Sequence, residues 1–152
     1  MLIGCPKEIK NQEYRVGMTP AAALEAISRG HKVIIEKNAG VGAGFPDDQY
    51  TAVGAVIVDT AAEIFATADM VVKVKEPQPV ERKQLRENQI LFTYLHLAPD
   101  PDQTRDLLAS GVTGIAYETV TDRAGGLPLL APMSEVAGKL APQVGAWTLQ
   151  KA

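Results

Sequence analysis

Gln89–Pro99 reads QILFTYLHLAP, a short apolar run that turns polar at its end. Ile90, Leu91 and Phe92 form a run too brief for a stable helix and rich in β-formers, which reads as a buried strand. Side chains alternate along a strand, so Tyr94 and His96 point one way and Thr93 and Leu95 the other. His96 then stands at the strand's exit. In open parallel sheets the ligand crevice lies outside the carboxyl ends of the strands, and an imidazole there can take or give a proton near neutral pH. The competing reading is a histidine merely packed at a strand end, and its neighbours must decide between the two.

Toward the N-terminus, strands alternate with helices. Leu2–Pro6 is a short apolar strand followed by a polar exit loop, Lys7–Arg15. Thr19 is an N-cap and Pro20 a first helical residue, opening a helix to Arg29 with Leu24 and Ile27 on its buried side and Gly30 as its stop. His31–Glu36 (HKVIIE) is the second strand. Asn38–Phe45 (NAGVGAGF) is rich in glycine but does not fit G-x-G-x-x-G, and it runs into Pro46-Asp47-Asp48 rather than an apolar helix start. It reads as a turn-rich connection. Ala55–Val58 is the third strand, Thr60 caps a helix to Thr67, Met70–Lys75 (MVVKVK) is the fourth strand, and Pro79–Arg86 is a polar surface helix.

Toward the C-terminus the alternation continues. Asp100 and Pro101 open a helix that Gly111 ends, and Val112–Tyr117 (VTGIAY) is a further strand. Asp122–Gly126 is a turn, Leu127–Ala131 a short apolar segment, and Ser134 caps a last helix toward Ala152, which Pro142 should kink or break. Strands separated by helix-length crossovers predict an α/β fold, a mostly parallel open sheet with helices on both faces.

Composition narrows the function classes. At 152 residues and 46% hydrophobic, the chain matches one ordinary domain with a real core. Fifteen Lys plus Arg against eighteen Asp plus Glu give a net charge of -3 without a block of like charge, so neither nucleic acid nor a membrane surface is indicated as partner. A single cysteine, Cys5, leaves no internal disulfide and fits a reducing compartment. The early charges Lys7, Glu8, Lys10, Glu13 and Arg15 argue against an export signal, and no apolar run approaches the ~18 residues that span a bilayer. A soluble, cytoplasmic protein is expected. His31, His96 and Cys5 make no recognised zinc spacing, and no G-x-S-x-G nucleophile elbow occurs.

The polar residues at strand exits can now be gathered. Arg15 follows the first strand, Lys75 ends the fourth, His96 ends QILFTYLH and Glu118 follows VTGIAY. A parallel sheet puts all these ends at one edge. Lys73 and Lys75 share a strand face, and an ammonium buried in MVVKVK needs an anionic partner unless that strand is a solvated edge. Arginine matches a carboxylate with a planar fork, and lysine adds a compact charge able to polarise a carbonyl oxygen. The set suits a small carboxylic acid, with His96 exchanging a proton at that oxygen.

The strings IGCPKEIKNQEYRVGMTP, VKVKEP, ILFTYLHLA, IAYETV and LPLLAPMSEVAGK, in this order, resemble the N-terminal part of the alanine dehydrogenase family over essentially the whole chain. The resemblance implies conversion of L-alanine, NAD and water to pyruvate, ammonia and NADH, and the reverse amination. It implies Arg15 and Lys75 as ligands of the substrate carboxylate and carbonyl, His96 as acid/base, Tyr94 and Met133 as pocket lining, and Ser134 near the cofactor. It further implies a Rossmann-like substrate domain over residues 1–133, a connecting helix over 134–152 leading to an NAD-binding domain outside this chain, and a homohexamer. No dinucleotide fingerprint occurs in the chain, so alone it is not expected to transfer hydride. Gly17-Met18 departs from the family's usual Ala-Leu, Cys5 from a usual valine, and Pro142 from a helix former. The transhydrogenase alpha subunit opens with a similar PKE start, but Lys75 and His96 together favour alanine dehydrogenase. Two other classes stay open: a non-catalytic module binding a keto acid, and a structural partner of a separate nucleotide-binding subunit, as in a transhydrogenase.

Overall fold

Six short strands of apolar and β-branched residues form the sheet of the computed structural model, which describes residues 1–150. They are β1 (Leu2–Cys5), β2 (Lys32–Glu36), β3 (Val56–Val58), β4 (Met70–Val72), β5 (Ile90–Thr93) and β6 (Thr113–Ala116). All pairs are parallel, in the order β3-β2-β1-β4-β5-β6. This is the order of a doubly wound nucleotide-binding sheet, and its direction of winding reverses between β1 and β4.

Helices α1 (Pro20–Ser28), α2 (Asp47–Ala52), α3 (Ala61–Thr67), α4 (Pro79–Arg82) and α5 (Pro101–Ser110) lie in the crossovers. Alternation along the strands sends Ile3, Cys5, Val33, Ile35 and Val72 into a core layer with Ala23 of α1 and Tyr50 of α2. Ile34, Val71 and Leu91 point the opposite way, against Ile64 and Phe65 of α3 and Leu107 of α5. Both faces of the sheet are therefore covered, as the strand and helix alternation predicts. Contact is closest at Gly4, where an added Cβ would lie 2.4 Å from Ile64 Cγ2 and 2.9 Å from Ala68 Cβ.

Several elements differ from the sequence reading. Leu24 is 51% exposed and Ala23 takes the buried position of α1 instead. The connection after β2 contains α2, a short helix with Tyr50 as its buried residue, whose hydroxyl donates to the Met18 carbonyl at 2.9 Å. The polar helix α4 stops at Arg82 rather than Arg86. The fourth strand ends at Val72 rather than Lys75, although Lys73 N still donates to Phe92 O at 3.0 Å.

The chain divides into two compact units, Met1–Ala116 and Tyr117–Ala152. In the second, Asp122 Oδ1 accepts from the N–H groups of Ala124 and Gly126, each at 2.8 Å, and closes the expected turn. The helix α6 (Ala131–Thr148) starts before Ser134, so Ser134 is not its cap. Pro132 sits in the first turn, where a missing N–H costs nothing, and Ser134 Oγ donates back to Leu130 O at 3.4 Å. Pro142 lies inside this continuous helix and does not break it. Residues 151 and 152 of the expected last helix lie outside the described residues. Among the described residues no helix is long and apolar enough to cross a membrane.

Candidate functional site

The winding reversal between β1 and β4 opens the crevice where such sheets take ligands. The loop leaving β1 carries Glu8, Glu13 and Arg15, and with Tyr14, Asn38 and Gly42 these residues line a cavity of about 380 Å³. Arg15 forks onto Glu13, with Nε 2.7 Å from Oε1 and Nη2 2.6 Å from Oε2, while its backbone N donates to Oε1 at 2.9 Å. The Arg15 hydrogen bonds and charge hold the Glu13 carboxyl below the usual glutamate range.

Lys73 is wholly buried, and the strand chemistry that called for an anion is met twice over. Its Nζ donates to Glu8 Oε2 at 3.1 Å and Glu81 Oε1 at 2.8 Å. Burial alone would lower the Lys73 pKa, but the two carboxylates outweigh it and hold it above the ordinary value. Burial raises that of Glu8, against the pull of Lys73. Lys75, two residues on, is half-buried.

From β5, Thr93 Oγ1 donates to the Lys75 carbonyl at 2.9 Å, and Tyr94 N to the Val74 carbonyl at 3.2 Å. Tyr94 is buried and its ring stacks on that of His96, with centroids 5.7 Å apart and planes 10° from parallel. The strand itself ends at Thr93 rather than at His96, so the two rings are brought together by stacking beyond the strand and not by its alternation. His96 is exposed and adopts φ 47°, a left-handed conformation costing a non-glycine residue about 1 kcal/mol or more.

The structure thus brings Arg15, Lys75, Tyr94 and His96 to the same end of the sheet. Glu13 feels the charge of Lys75 as well as that of Arg15, and Arg15 feels Tyr94. Met133, Ser134 and Glu118 belong to the second unit, the first two in the opening turn of α6 and Glu118 in the 3₁₀ turn Tyr117–Thr119. Sequence reasoning missed the carboxylates Glu8, Glu13 and Glu81. The one available signal was the lysine pattern of MVVKVK, which demanded an anion without saying where it lay.

At the glycines after β2, an added Cβ would lie 2.6 Å from the Tyr50 hydroxyl at Gly40 and 2.9 Å from the Tyr14 carbonyl at Gly42, so close packing of protein accounts for glycine at both positions. Among the described residues no group of three or more His, Cys, Asp or Glu could hold a metal ion.

A family model described as alanine dehydrogenase/PNT, N-terminal domain, matches residues 4–137. The chain belongs to this family. Alanine dehydrogenase of Methanococcus maripaludis is 56% identical over 151 residues, 99% of this chain and 40% of that protein. Alanine dehydrogenase of Mycobacterium tuberculosis is 53% identical, over 99% of this chain and 41% of its own length. A solved L-alanine dehydrogenase superposes with a TM-score of 0.92 at 50% identity, covering 98% of this chain and 41% of that one. For a transhydrogenase from Sinorhizobium meliloti the TM-score is 0.75 at 25% identity, covering 81% of this chain and 35% of that one. The chain spans about two fifths of the length of the alanine dehydrogenases it matches. Within the family its likeness is therefore to alanine dehydrogenase rather than to transhydrogenase.

Proposed function

We propose that this chain is the substrate domain of an NAD-dependent L-alanine dehydrogenase, which turns L-alanine, NAD and water into pyruvate, ammonia and NADH. One observation carries the reading: Arg15 and Lys75, on loops leaving separate strands, both act on the charge of Glu13, and Arg15 also feels Tyr94, whose ring stacks on His96 at the same end of the parallel sheet. Arg15 takes the substrate carboxylate, and Lys75 takes its carbonyl oxygen and draws charge toward it. His96 exchanges a proton at the same oxygen, its ring steadied by Tyr94. Met133 completes the pocket lining and Ser134 lies near the cofactor, on the family resemblance.

NAD supplies the hydride acceptor, and we assign its binding mainly to residues outside this chain, with Ser134 contributing from within it. Residues 1–133 then form the substrate domain and 134–152 the connection to the cofactor domain. The same resemblance carries assembly into a homohexamer and a role in L-alanine catabolism, and a buried free thiol, Cys5, suits the cytoplasm.

Pyruvate titrated into the purified chain and followed by calorimetry tests the reading. Saturable binding is expected, weakened about tenfold or more in Arg15→Ala, since a charged hydrogen-bonding pair is worth about 1.5–3 kcal/mol. No binding, or equal binding by the variant, would overturn it.

A further inference from the structure

We propose that Glu8 is a positioning residue for Lys75, its carboxylate accepting the backbone N–H groups of the bend that follows β4. This rests on the reading of Lys75 as a substrate ligand.

Lys73 N points toward β5 and donates to Phe92 O at 3.0 Å. Past Val72 the backbone leaves the strand and bends: the carbonyls of Val74 and Lys75 accept from Tyr94 N and Thr93 Oγ1 on the β5 side, and their N–H groups face the loop that follows β1. Glu8 Oε1 takes that N–H at 2.6 Å and also reaches Lys75 N at 3.4 Å. The other Glu8 oxygen accepts from Lys73 Nζ at 3.1 Å, so the carboxylate bridges the lysine side chain and the backbone that follows it.

The clamp is itself held. Lys73 is fixed a second time by Glu81, whose other oxygen accepts from Gln78 N at 2.7 Å. On the β5 side, Thr93 holds the carbonyl of Lys75. The backbone of Lys75 is thus held on one side by Thr93 at its carbonyl and on the other by Glu8, through the short bond to Val74 N and a longer one to its own N–H. Dry carboxylates are tolerated only when their oxygens are partnered, and here the partners are the groups whose placement the site needs. Two carboxylates serve one ammonium, so neutralising Lys73 requires only one of them. The second has work to do at the backbone.

Pyruvate binding by the wild-type chain, Glu8→Ala and Glu8→Gln separates positioning from charge balance. Glutamine keeps an oxygen for Val74 N–H and alanine keeps none. Glu8→Ala is expected to weaken binding about tenfold or more, with Glu8→Gln binding at least about threefold tighter than Glu8→Ala. Equal losses in the two variants, or wild-type affinity in Glu8→Ala, overturn the proposal. Amide hydrogen exchange in the wild-type chain decides the clamp even if Glu8→Ala does not fold. Val74 should exchange about a hundredfold or more slower than an open amide, and exchange at the open rate overturns the proposal. A wild-type chain that fails to bind pyruvate while Val74 is protected counts against the substrate reading, not against the clamp.

Discussion

Arg15 and Glu13 stand two positions apart, close enough for one carboxylate to take both the backbone N–H and the guanidinium of the arginine. Because Arg15 holds Glu13 below its ordinary value of 4.5, folding favours the ionised carboxylate. That contribution is fully present above the unfolded value and is lost as pH falls through the lowered folded one. The gap in urea midpoint between the wild-type chain and Glu13→Gln should be largest near neutrality and close as pH falls below 4.5. A gap that stays constant through that range would remove the pair from the acid stability of the fold. At this scale the cations were legible and the anions were not. Lys75, Tyr94 and His96 follow apolar runs whose ends can be read directly, and Arg15 closes the polar loop that leaves the first strand. Glu8 and Glu13 sit in a polar loop without periodicity, and Glu8 meets Lys73 across 65 positions of sequence, a distance that local pattern cannot bridge.

Elements with strong end signals begin where they were expected. Thr19 with Pro20, Thr60, and Asp100 with Pro101 each open a helix, and their hydroxyl or carboxylate oxygens accept from the first-turn N–H groups. Short or ambiguous elements escaped: α2 buries little besides Tyr50, and in α6 the start signal was Pro132 rather than Ser134. Leu24 shows that the more apolar side chain need not take the inner face where a close crossing wants alanine. The crossing of α3 over β1 depends on Gly4 in the same way. Gly4→Ala forces a methyl into Ile64 and should lower unfolding free energy by about 1–3 kcal/mol. An unchanged or raised urea midpoint would mean that α3 can step away freely.

Over the whole molecule, the parallel α/β class followed from alternation, but the strand order did not. Crossover lengths leave open which side of a neighbour each strand joins, and that choice placed β1 and β4 together to form the crevice. Cys5 lies in this central region, wholly buried, and burial pushes its thiol up to about 12. It should stay inert to iodoacetamide in the native unit and react only through the unfolding transition. Labelling at the open-thiol rate in native buffer would show that β1 is exposed more often than its place in the sheet permits.

Placing the first strand at the middle of the sheet also has a price during synthesis. β1 emerges first and can pair with β2 soon after, but its other edge stays bare until β4 arrives, since Ile3 pairs with Met70. Until then the nascent chain carries an open strand edge, with apolar side chains above and below it, which invites pairing with a neighbouring copy. Glu8, charged and just past that edge, is in place before the lysine it awaits has been made.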